Sequence, residues 1–399
     1  MNLSPTAHLA YCTNIHPAET WTETHAALAT HVLAVRDRLR ATGNLAADAP
    51  FAIGLRLSAL AARELLKNDH LARFRDWLAE TNTYVFTING FPYGSFHGTR
   101  VKEQVFRPDW TDSGRLEYTK NLFRILAAIA RTDVSASVST LPGSFKAFQA
   151  DEALIRRNLI ELAAFLDDLA ENSGHDFHLG LEPEPLGHFE NELETVAFFQ
   201  RLCHHAPNAA AIRRRIGVNY DACHFALQYE PVRPTFQLFD HAGIRISKIH
   251  LSSALAFDPA NPAALAAIRS FEEPTYFHQV LLRQADGEIR RFPDLPDFFH
   301  ALDAGTIQAS AFQEARVHFH IPLDAEPSAP LRSTRSQALD VLDWSREHPA
   351  ACEHFEIETY TWAVLPPALQ RPVAEQIAGE YQWVLTNLGM TRYQSKGTP

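Results

Sequence analysis

Short apolar runs alternate with longer amphipathic segments along most of the chain. The short runs are rich in β-branched and aromatic residues, as buried strands are, and the longer segments repeat apolar residues at helical spacing. The pattern predicts eight strands, in residues 10–15, 51–57, 83–90, 135–141, 177–185, 216–221, 247–253 and 354–362. It predicts helices near 22–40, 59–80, 113–132, 150–172, 191–205, 335–347 and 366–388.

The alternation of strand and helix predicts a parallel sheet and an α/β fold. Eight such units fit a TIM-type (β/α)8 barrel better than an open doubly wound sheet, because the chain lacks a phosphate-binding glycine loop. A chain of 399 residues exceeds the usual domain size of roughly 100–200 residues, but such barrels exceed about 250 residues as one unit. We therefore predict one barrel domain over residues 1–399, with two domains as the alternative.

Residues 274–322 interrupt the regular count, because they contain three further strand-like runs: TYFHQVLLR, EIRRF and ARVHFHIPL. The sequence ADGE at 285–288 is typical of a hairpin turn. We predict a small β-rich insertion after the seventh barrel strand, on the face where barrel loops build active sites. Alternatively, ARVHFHIPL is itself a barrel strand and one of the eight is not.

Charge and composition argue against some partners and locations. The formal net charge is -11, and no Lys/Arg-rich run is suited to following a phosphate backbone, so nucleic acid is not expected as a partner. No segment reaches the roughly 18 apolar residues of a membrane span, and the first residues do not read as a secretory signal. The four cysteines are scattered, without CxxC spacing, which favours reduced thiols and a cytoplasmic location.

Candidate chemistry lies where the later strands end, because barrel enzymes take catalytic groups from the carboxyl ends of different strands. The fifth strand ends in GLEPEP, where Glu182 and Glu184 share a strand face and either is a candidate. The sixth ends at Asp221, the seventh presents His250, and the eighth presents Glu356 and Glu358. Carboxylates, an aspartate and an imidazole are therefore predicted to converge at the barrel mouth.

Oxygen ligands combined with an imidazole suit Mn²⁺, Zn²⁺, Mg²⁺ or Co²⁺, and the ligand set does not choose among them. A divalent ion held in this way binds vicinal sugar oxygens and polarises a carbonyl, while a flanking carboxylate takes the adjacent carbon-bound proton. The pattern thus predicts metal-assisted proton transfer on a small polyhydroxylated molecule. Hydrolysis or elimination on the same barrel, and binding without turnover, remain alternatives.

Each candidate also has an ordinary structural explanation. An aspartate after a strand is often the N-cap of the next helix, which applies to Asp221. His250 stands between apolar neighbours and suits a hydrogen-bonded core position. Glu356, and whichever of Glu182 and Glu184 is not a ligand, suits a solvated loop. We expect that the ordinary explanation holds for one of these candidates more readily than for all of them at once.

The runs GLEPEP, Asp221 to His224, KIHLSSA and EIETYTW resemble the xylose isomerase-like barrel superfamily, which includes sugar phosphate isomerases and ketose epimerases. More narrowly, YCTNIHPAETW, FTINGFPYGSFHG, VHFHIPL and EIETYTWAVLP resemble the EboE group, named for metabolite traffic and encoded in a conserved bacterial gene cluster. The likeness covers most of the chain and implies a barrel fold.

The resemblance implies a divalent metal held by Asp221, His250, Glu358 and one glutamate of the fifth strand, with the glutamates also acting as acid and base. It further implies that His224 contacts substrate. The chain departs from the epimerase pattern by offering two glutamates in GLEPEP, which leaves the choice between Glu182 and Glu184 open.

Further polar residues near strand ends are candidates for substrate binding. Strand or loop packing is the alternative for each, and for His318 and His320 a second metal or a phosphate contact is also conceivable. The candidates are His16, Arg56, Asn89, His97, Lys248, His318 and His320.

Overall fold

The computed structural model describes residues 1–94 and 101–390. The described residues form thirteen strands: β1 (His8–Tyr11), β2 (Phe51–Arg56), β3 (Thr83–Asn89), β4 (Ala136–Thr140), β5 (Phe177–Leu181), β6 (Ile216–Asp221), β7 (Arg245–Leu251), β8 (Leu255–Phe257), β9 (Val280–Gln284), β10 (Ile289–Phe292), β11 (Phe312–Val317), β12 (Arg332–Ser333) and β13 (His354–Ile357).

The α-helices are α1 (Trp21–Ala27), α2 (Leu33–Ala41), α3 (Ala59–Leu65), α4 (His70–Glu80), α5 (Ser113–Ile129), α6 (Glu152–Ser173), α7 (Glu192–His205), α8 (Ala209–Arg215), α9 (Ala222–Leu227), α10 (Val232–His241), α11 (Pro262–Ile268), α12 (Leu295–Asp303), α13 (Ser336–Glu347) and α14 (Val373–Asn387). A π-helical segment, Leu28–Val32, joins α1 to α2. Short 3-10 helices cover Thr13–Ile15, Lys102–Phe106, Lys146–Phe148, Arg269–Phe271, Ala309–Ala311, Tyr360–Val364 and Pro367–Leu369.

Eight parallel strands form a barrel in the order β1-β13-β7-β6-β5-β4-β3-β2. A parallel bridge between Cys12 and Gly54 brings the first and last strands of this order together and closes the barrel. The predicted (β/α)8 barrel is therefore confirmed, and each of the eight predicted strand segments overlaps one barrel strand. The strands are buried on both faces because helices cover the outside.

The helices differ from the prediction where the chain turns. Residues 59–80 form two helices, α3 and α4, because the chain turns between them through Asn68, whose φ is 52°. The helix predicted at 150–172 is α6, which Asp151 caps at its start and Gly174 ends with φ of 75°. Five helices between residues 209 and 303, α8 to α12, are absent from the prediction because each is short.

The insertion after β7 is a second sheet, antiparallel, in the order β10-β9-β11-β8-β12. The predicted hairpin joins β9 to β10, and its turn uses Gly287 at φ of 90°, a conformation that glycine adopts without strain. Residues 315–317 of ARVHFHIPL lie in β11 of this sheet, so the alternative that this run replaces one of the eight barrel strands is wrong. The sheet extends beyond 274–322 to include β8 and β12.

The insertion has its own hydrophobic core, separate from the one between barrel and helices. Phe257, Leu282, Phe298 and Val317 are buried together in it. Within residues 1–94 and 101–390, no helix combines the length and apolar character needed to cross a membrane. All four cysteines are described and none forms a disulfide.

Candidate metal centre

Four neighbouring barrel strands bring four side chains to one point. Glu182 directly follows β5, Asp221 ends β6, His250 lies in β7 and Glu358 directly follows β13. These strands are adjacent in the order β13-β7-β6-β5. One ligand atom from each residue lies within 4.8 Å of the others, and all four residues are buried. We call these four residues the carboxylate site.

The Nδ1 atom of His250 is the centre of this arrangement. It lies 3.0 Å from Oε2 of Glu358, 3.3 Å from Oε1 of Glu182 and 3.4 Å from Oδ2 of Asp221. Three acidic groups and one imidazole thus point at a common space from which water is largely excluded. A buried set with this excess of carboxylates needs a cation to balance it.

Side-chain amides fix the two glutamates from outside the site. Asn219 donates to Oε2 of Glu182 at 2.8 Å, which leaves Oε1 directed at His250. Asn14 and Asn89 donate to Oε1 of Glu358 at 2.8 and 3.2 Å, which leaves Oε2 directed at the same ring. Each carboxylate therefore keeps one oxygen for a ligand while the other is held in place.

Asp221 serves two purposes with its two oxygens. Oδ1 accepts from the backbone N–H groups of Cys223 and His224 at 2.7 and 3.1 Å and from Oγ of Ser252 at 2.6 Å, so it caps helix α9. Oδ2 is buried without a hydrogen-bond partner among the described residues. Since a buried oxygen without a partner costs free energy, this oxygen fits a metal ligand. The N-cap explanation and the ligand prediction are compatible.

A buried ion pair supports His250 from below. Nε2 of His250 lies 3.0 Å from Oε2 of Glu356, and Lys248 makes an ion pair with the same oxygen. Nζ of Lys248 also donates to Oγ of Ser139 at 3.1 Å and to Oγ1 of Thr87 at 3.3 Å. Because Glu356 accepts the Nε2–H of His250, Nδ1 is the ring nitrogen that is available as a metal ligand.

The contacts within the carboxylate site shift the pKa values of Asp221 and His250. Burial opposes the charged form of Asp221, but His224, His320 and His250 hold its pKa well below the usual range. Burial alone would lower the pKa of His250, yet the Glu358 and Glu182 carboxylates raise it well above its ordinary value. The site thus attracts positive charge, and its donor set fits a divalent cation.

Glu184 lies beside the carboxylate site but outside it. Its Oε2 lies 3.4 Å from Nε2 of His224, whose Nδ1 donates to the carbonyl of Pro183 at 3.0 Å. Burial and the neighbouring carboxylates of Glu182 and Asp221 raise the pKa of Glu184 well above its usual range. Burial lowers the pKa of His224 to about 4. Of the two glutamates in GLEPEP, Glu182 is the one that joins Asp221, His250 and Glu358.

A cleft opens above the carboxylate site. The insertion supplies part of its wall, as do the loops after β3, β5 and β13. The described lining residues are mostly aromatic or apolar away from the site; they include Phe91, Val101, Phe106, Tyr276, Phe277 and Tyr360. The polar part comprises Asn14, Asn89, Lys102, Glu182, Glu184, His224, His318 and Glu358.

Some of the other candidates for substrate binding line the cleft, and others lie behind or beneath it. Asn89, His224 and His318 line the cleft. His320 is buried behind it, with Nδ1 donating to the carbonyl of Glu358 at 2.9 Å. Lys248 lies beneath the carboxylate site, paired with Glu356.

Two of the predicted substrate contacts face elsewhere. The Arg56 guanidinium binds the carbonyls of Ala18 and Gly94 and the carboxylate of Glu19, so it fastens two loops together. Nε2 of His16 forms a hydrogen bond of 3.0 Å with the hydroxyl of Tyr11. His16 is not among the described residues that line the cleft. His97 lies outside the described residues.

The sequence prediction did not include the contacts by which four residues hold the side chains of the carboxylate site. These residues are Asn14, Asn219, Ser252 and Glu356. Asn219 is two residues before Asp221 in the same strand and therefore lies on the same face. This spacing could have identified Asn219 from the sequence. Asn14 follows β1 as the other site residues follow their strands. The sequence also suggested that Glu356 lies in a solvated loop. This interpretation is wrong, because Glu356 is fully buried in β13.

No protein-family model and no curated protein sequence matches this chain. Solved structures similar to it include the IOLI protein with a bound zinc atom, at 10% identity and a TM-score of 0.48 over 97% of this chain and 99% of that chain. They also include the probable 3-DHS dehydratase AsbF from Bacillus anthracis, at 12% identity and 0.45 over 96% and 99%. A xylose isomerase domain containing protein from Salmonella typhimurium aligns at 11% identity and 0.44 over 97% and 99%. Similarity at this level of identity concerns the barrel fold.

Proposed function

We propose that this protein is a divalent-metal-dependent isomerase or epimerase that transfers a proton on a small polyhydroxylated substrate. The observation that carries the proposal is that carboxylate oxygens of Glu182 and Glu358 both lie close to His250 Nδ1, at 3.3 and 3.0 Å, and that both residues line the cleft. Glu182, Asp221, His250 and Glu358 are the proposed metal ligands. Manganese, zinc, magnesium and cobalt all suit this set.

A bound divalent ion supplies Lewis acidity to a substrate carbonyl and lowers the cost of removing the neighbouring proton. Glu358 and Glu182 come from strands separated by β6 and β7, so they approach the cleft floor from different sides. We assign one as the base that takes the carbon-bound proton and the other as the acid that returns it. Asn14 and Asn89 orient Glu358, and Asn219 orients Glu182.

The cleft wall bears on the kind of substrate. Among the described lining residues, Lys102 is the one lysine or arginine, and it is paired with Asp294. Phe106 packs edge-on against Phe91, with 5.5 Å between ring centres, and this aromatic wall suits an apolar substituent better than a phosphate. The substrate we propose therefore has hydroxyl or keto groups at the metal and an apolar part against the wall.

The aromatic wall also favours a second candidate: binding and transfer of a metabolite without turnover, as the resemblance to the EboE group implies. In that role the carboxylate site would hold the ligand through a metal but Glu358 would move no proton. Both candidates involve a small molecule, in the cytoplasm, and no nucleic acid.

Exchange of carbon-bound hydrogen with solvent deuterium distinguishes the two. NMR of candidate ketoses and their phosphates with the Mn²⁺-, Zn²⁺-, Mg²⁺- or Co²⁺-loaded protein should show exchange that Glu358→Gln abolishes while the fold is kept. Glu353→Gln, the same change at the opposite end of β13, is the control and should leave exchange unchanged. Tight binding of one of these compounds without any exchange would overturn the isomerase proposal and support the transfer role.

A further inference from the structure

Polar side chains fill part of the barrel interior below the carboxylate site. Barrel interiors are usually filled by branched apolar residues. Here hydroxyl and imidazole groups come from three strands: Thr87 from β3, Ser137 and Ser139 from β4, and His354 from β13. All four residues are buried. Since a buried polar group costs free energy unless it is hydrogen-bonded, their partners are part of the design of the barrel.

These groups form a continuous chain of hydrogen bonds. Nζ of Lys248 lies 3.3 Å from Oγ1 of Thr87, which lies 2.8 Å from Oγ of Ser137. Oγ of Ser137 lies 2.7 Å from Nδ1 of His354, and this bond crosses the interior because β4 and β13 are not neighbours in the barrel. Nε2 of His354 lies 3.0 Å from Oγ of Ser135. We call Thr87, Ser137 and His354 the hydroxyl–imidazole chain.

The chain connects the carboxylate site with the opposite face of the barrel, where the strands begin. At that face, Oγ of Ser135 donates to Oε2 of Glu353 at 2.6 Å, and both residues line a hollow at the surface. At the inner end, Lys248 is paired with Glu356, whose Oε2 lies 3.0 Å from Nε2 of His250. A path of polar contacts therefore runs from a proposed metal ligand to the far side of the barrel.

The outer end fixes the direction of the hydrogen bonds. A carboxylate only accepts, so Ser135 uses its single hydrogen on Glu353 and must accept from Nε2 of His354. Burial holds the pKa of His354 well below its ordinary value, so the ring is neutral and Nδ1 carries a lone pair. Ser137 therefore donates to Nδ1, and Thr87 donates to Ser137. Glu353→Gln keeps an accepting oxygen for Ser135 and should keep this order.

The inner end requires the same direction. An ammonium group only donates, so Thr87 accepts from Lys248 and has its own hydrogen for Ser137. Lys248 has two further acceptors, Oγ of Ser139 at 3.1 Å and the carboxylate of Glu356, so each of its three hydrogens has a partner. Hydrogen bonds aligned in one direction polarise one another and are strengthened. A single order of donors and acceptors thus satisfies the whole chain.

We propose that the hydroxyl–imidazole chain positions the metal centre from inside the barrel. Its ordered bonds hold the ammonium of Lys248, Lys248 holds Glu356, and Glu356 orients the His250 ring. The three members of the chain are positioning residues, since they act on the site only through Lys248. The inference rests on the proposed metal site, because its effect on binding passes through His250. Groups behind a metal ligand commonly tune its affinity, and here that support extends across the barrel.

Metal affinity tests the role of the chain. Thr87→Val removes the hydroxyl with little change of shape and should weaken Mn²⁺ binding by about 10-fold, the lower end of the range typical of groups behind a ligand. Competition against a metal-binding dye measures this loss. Thr87→Ser keeps the hydroxyl and should keep the affinity. Thr119→Val makes the same change at a buried hydroxyl of α5 that donates to the carbonyl of Arg115, and should also keep it. Full affinity in Thr87→Val, or an equal loss in Thr87→Ser, would overturn the proposal.

The tautomer of His354 tests the direction of the chain without any metal. Nitrogen-15 NMR of the metal-free protein should show the ring hydrogen on Nε2 and a lone pair on Nδ1. Ser137→Ala removes the donor to Nδ1 and should shift the resonance of that nitrogen. A hydrogen on Nδ1 would overturn the inference even in a protein that binds Mn²⁺. The expected tautomer in a protein that binds no Mn²⁺ would instead overturn the metal site, and with it the positioning role, while the order of the chain would stand.

Discussion

Oε2 of Glu356 lies 3.0 Å from Nε2 of His250, on the side of the ring away from the carboxylate site. A carboxylate that accepts the second ring hydrogen fixes the orientation of an imidazole ligand and raises its basicity. Glu356 is thereby a positioning residue, buried in β13 two residues before the proposed ligand Glu358. One strand therefore supplies both a ligand and the support for another ligand.

Glu356→Gln should weaken binding of Mn²⁺ to the carboxylate site by about 10- to 100-fold, because a neutral amide supports the His250 ring less well than a carboxylate. Competition against a metal-binding dye measures the affinity. Glu353→Gln makes the same chemical change at the other end of β13, where the side chain contacts Ser135, and should leave the affinity unchanged. Equal affinities for the two variants would contradict the role assigned to Glu356.

The Lys248 and Glu356 pair predicts non-additive stabilities. Both side chains are fully buried, so Glu356→Gln leaves a buried lysine charge and should lower the free energy of unfolding by about 3–5 kcal/mol. Adding Lys248→Met removes that charge and should recover most of the loss. Urea unfolding of the two single variants and the double variant measures the coupling. Additive losses would show that the two side chains do not stabilise each other.

Gly54 makes room for the Glu356 carboxylate. A Cβ atom at residue 54 would lie 1.8 Å from Oε1 of Glu356 and 2.5 Å from the carbonyl oxygen of Tyr11. Gly54→Ala should therefore cost roughly 1–3 kcal/mol of stability or more and displace Glu356 from His250. Gly94→Ala is the matched control, because nothing lies within 4 Å of its Cβ position. Thermal unfolding and Mn²⁺ affinity should both change in the first variant only.

The barrel was predictable because its eight strands are short apolar runs separated by helical segments, and polar residues close those runs. Asp221 and His250 could be selected from the sequence for that reason, and Glu358 from the resemblance to the barrel superfamily. The choice between Glu182 and Glu184 could not be made, because β5 ends at Leu181 and alternation of side chains no longer applies beyond it. Only the path of the loop directs Glu182 inward.

The support beneath the site was not predictable. Lys248 and Glu356 are far apart in sequence, and barrel interiors are usually filled by branched apolar residues, so nothing local pairs these two charges. The same applies to His320, whose bond to the Glu358 carbonyl joins the insertion to the barrel. Arg56 shows the opposite error: a polar residue at a strand end that fastens loops instead of facing the cleft.

The last prediction concerns Glu380, a buried residue of α14 next to the loop that follows Glu358. Its Oε2 accepts from Oγ1 of Thr359 at 2.7 Å and from the backbone N–H of Leu323 at 3.1 Å. Burial nevertheless raises the pKa of Glu380 to about 7. The folded protein therefore keeps a proton here that the unfolded chain releases at lower pH.

Since the unfolded chain binds fewer protons than the folded protein between its ordinary pKa, about 4.3, and the folded value, the stability should fall as pH rises through that window and level off above it. Glu380→Gln has no titrating group and keeps an acceptor for Thr359 and Leu323. Its unfolding free energy, relative to that of the unaltered protein, should rise by a few kcal/mol between pH 5 and 8, on the order expected for such a shift. A constant difference between Glu380→Gln and the unaltered protein across this range would mean that Glu380 is ionised in the folded state throughout.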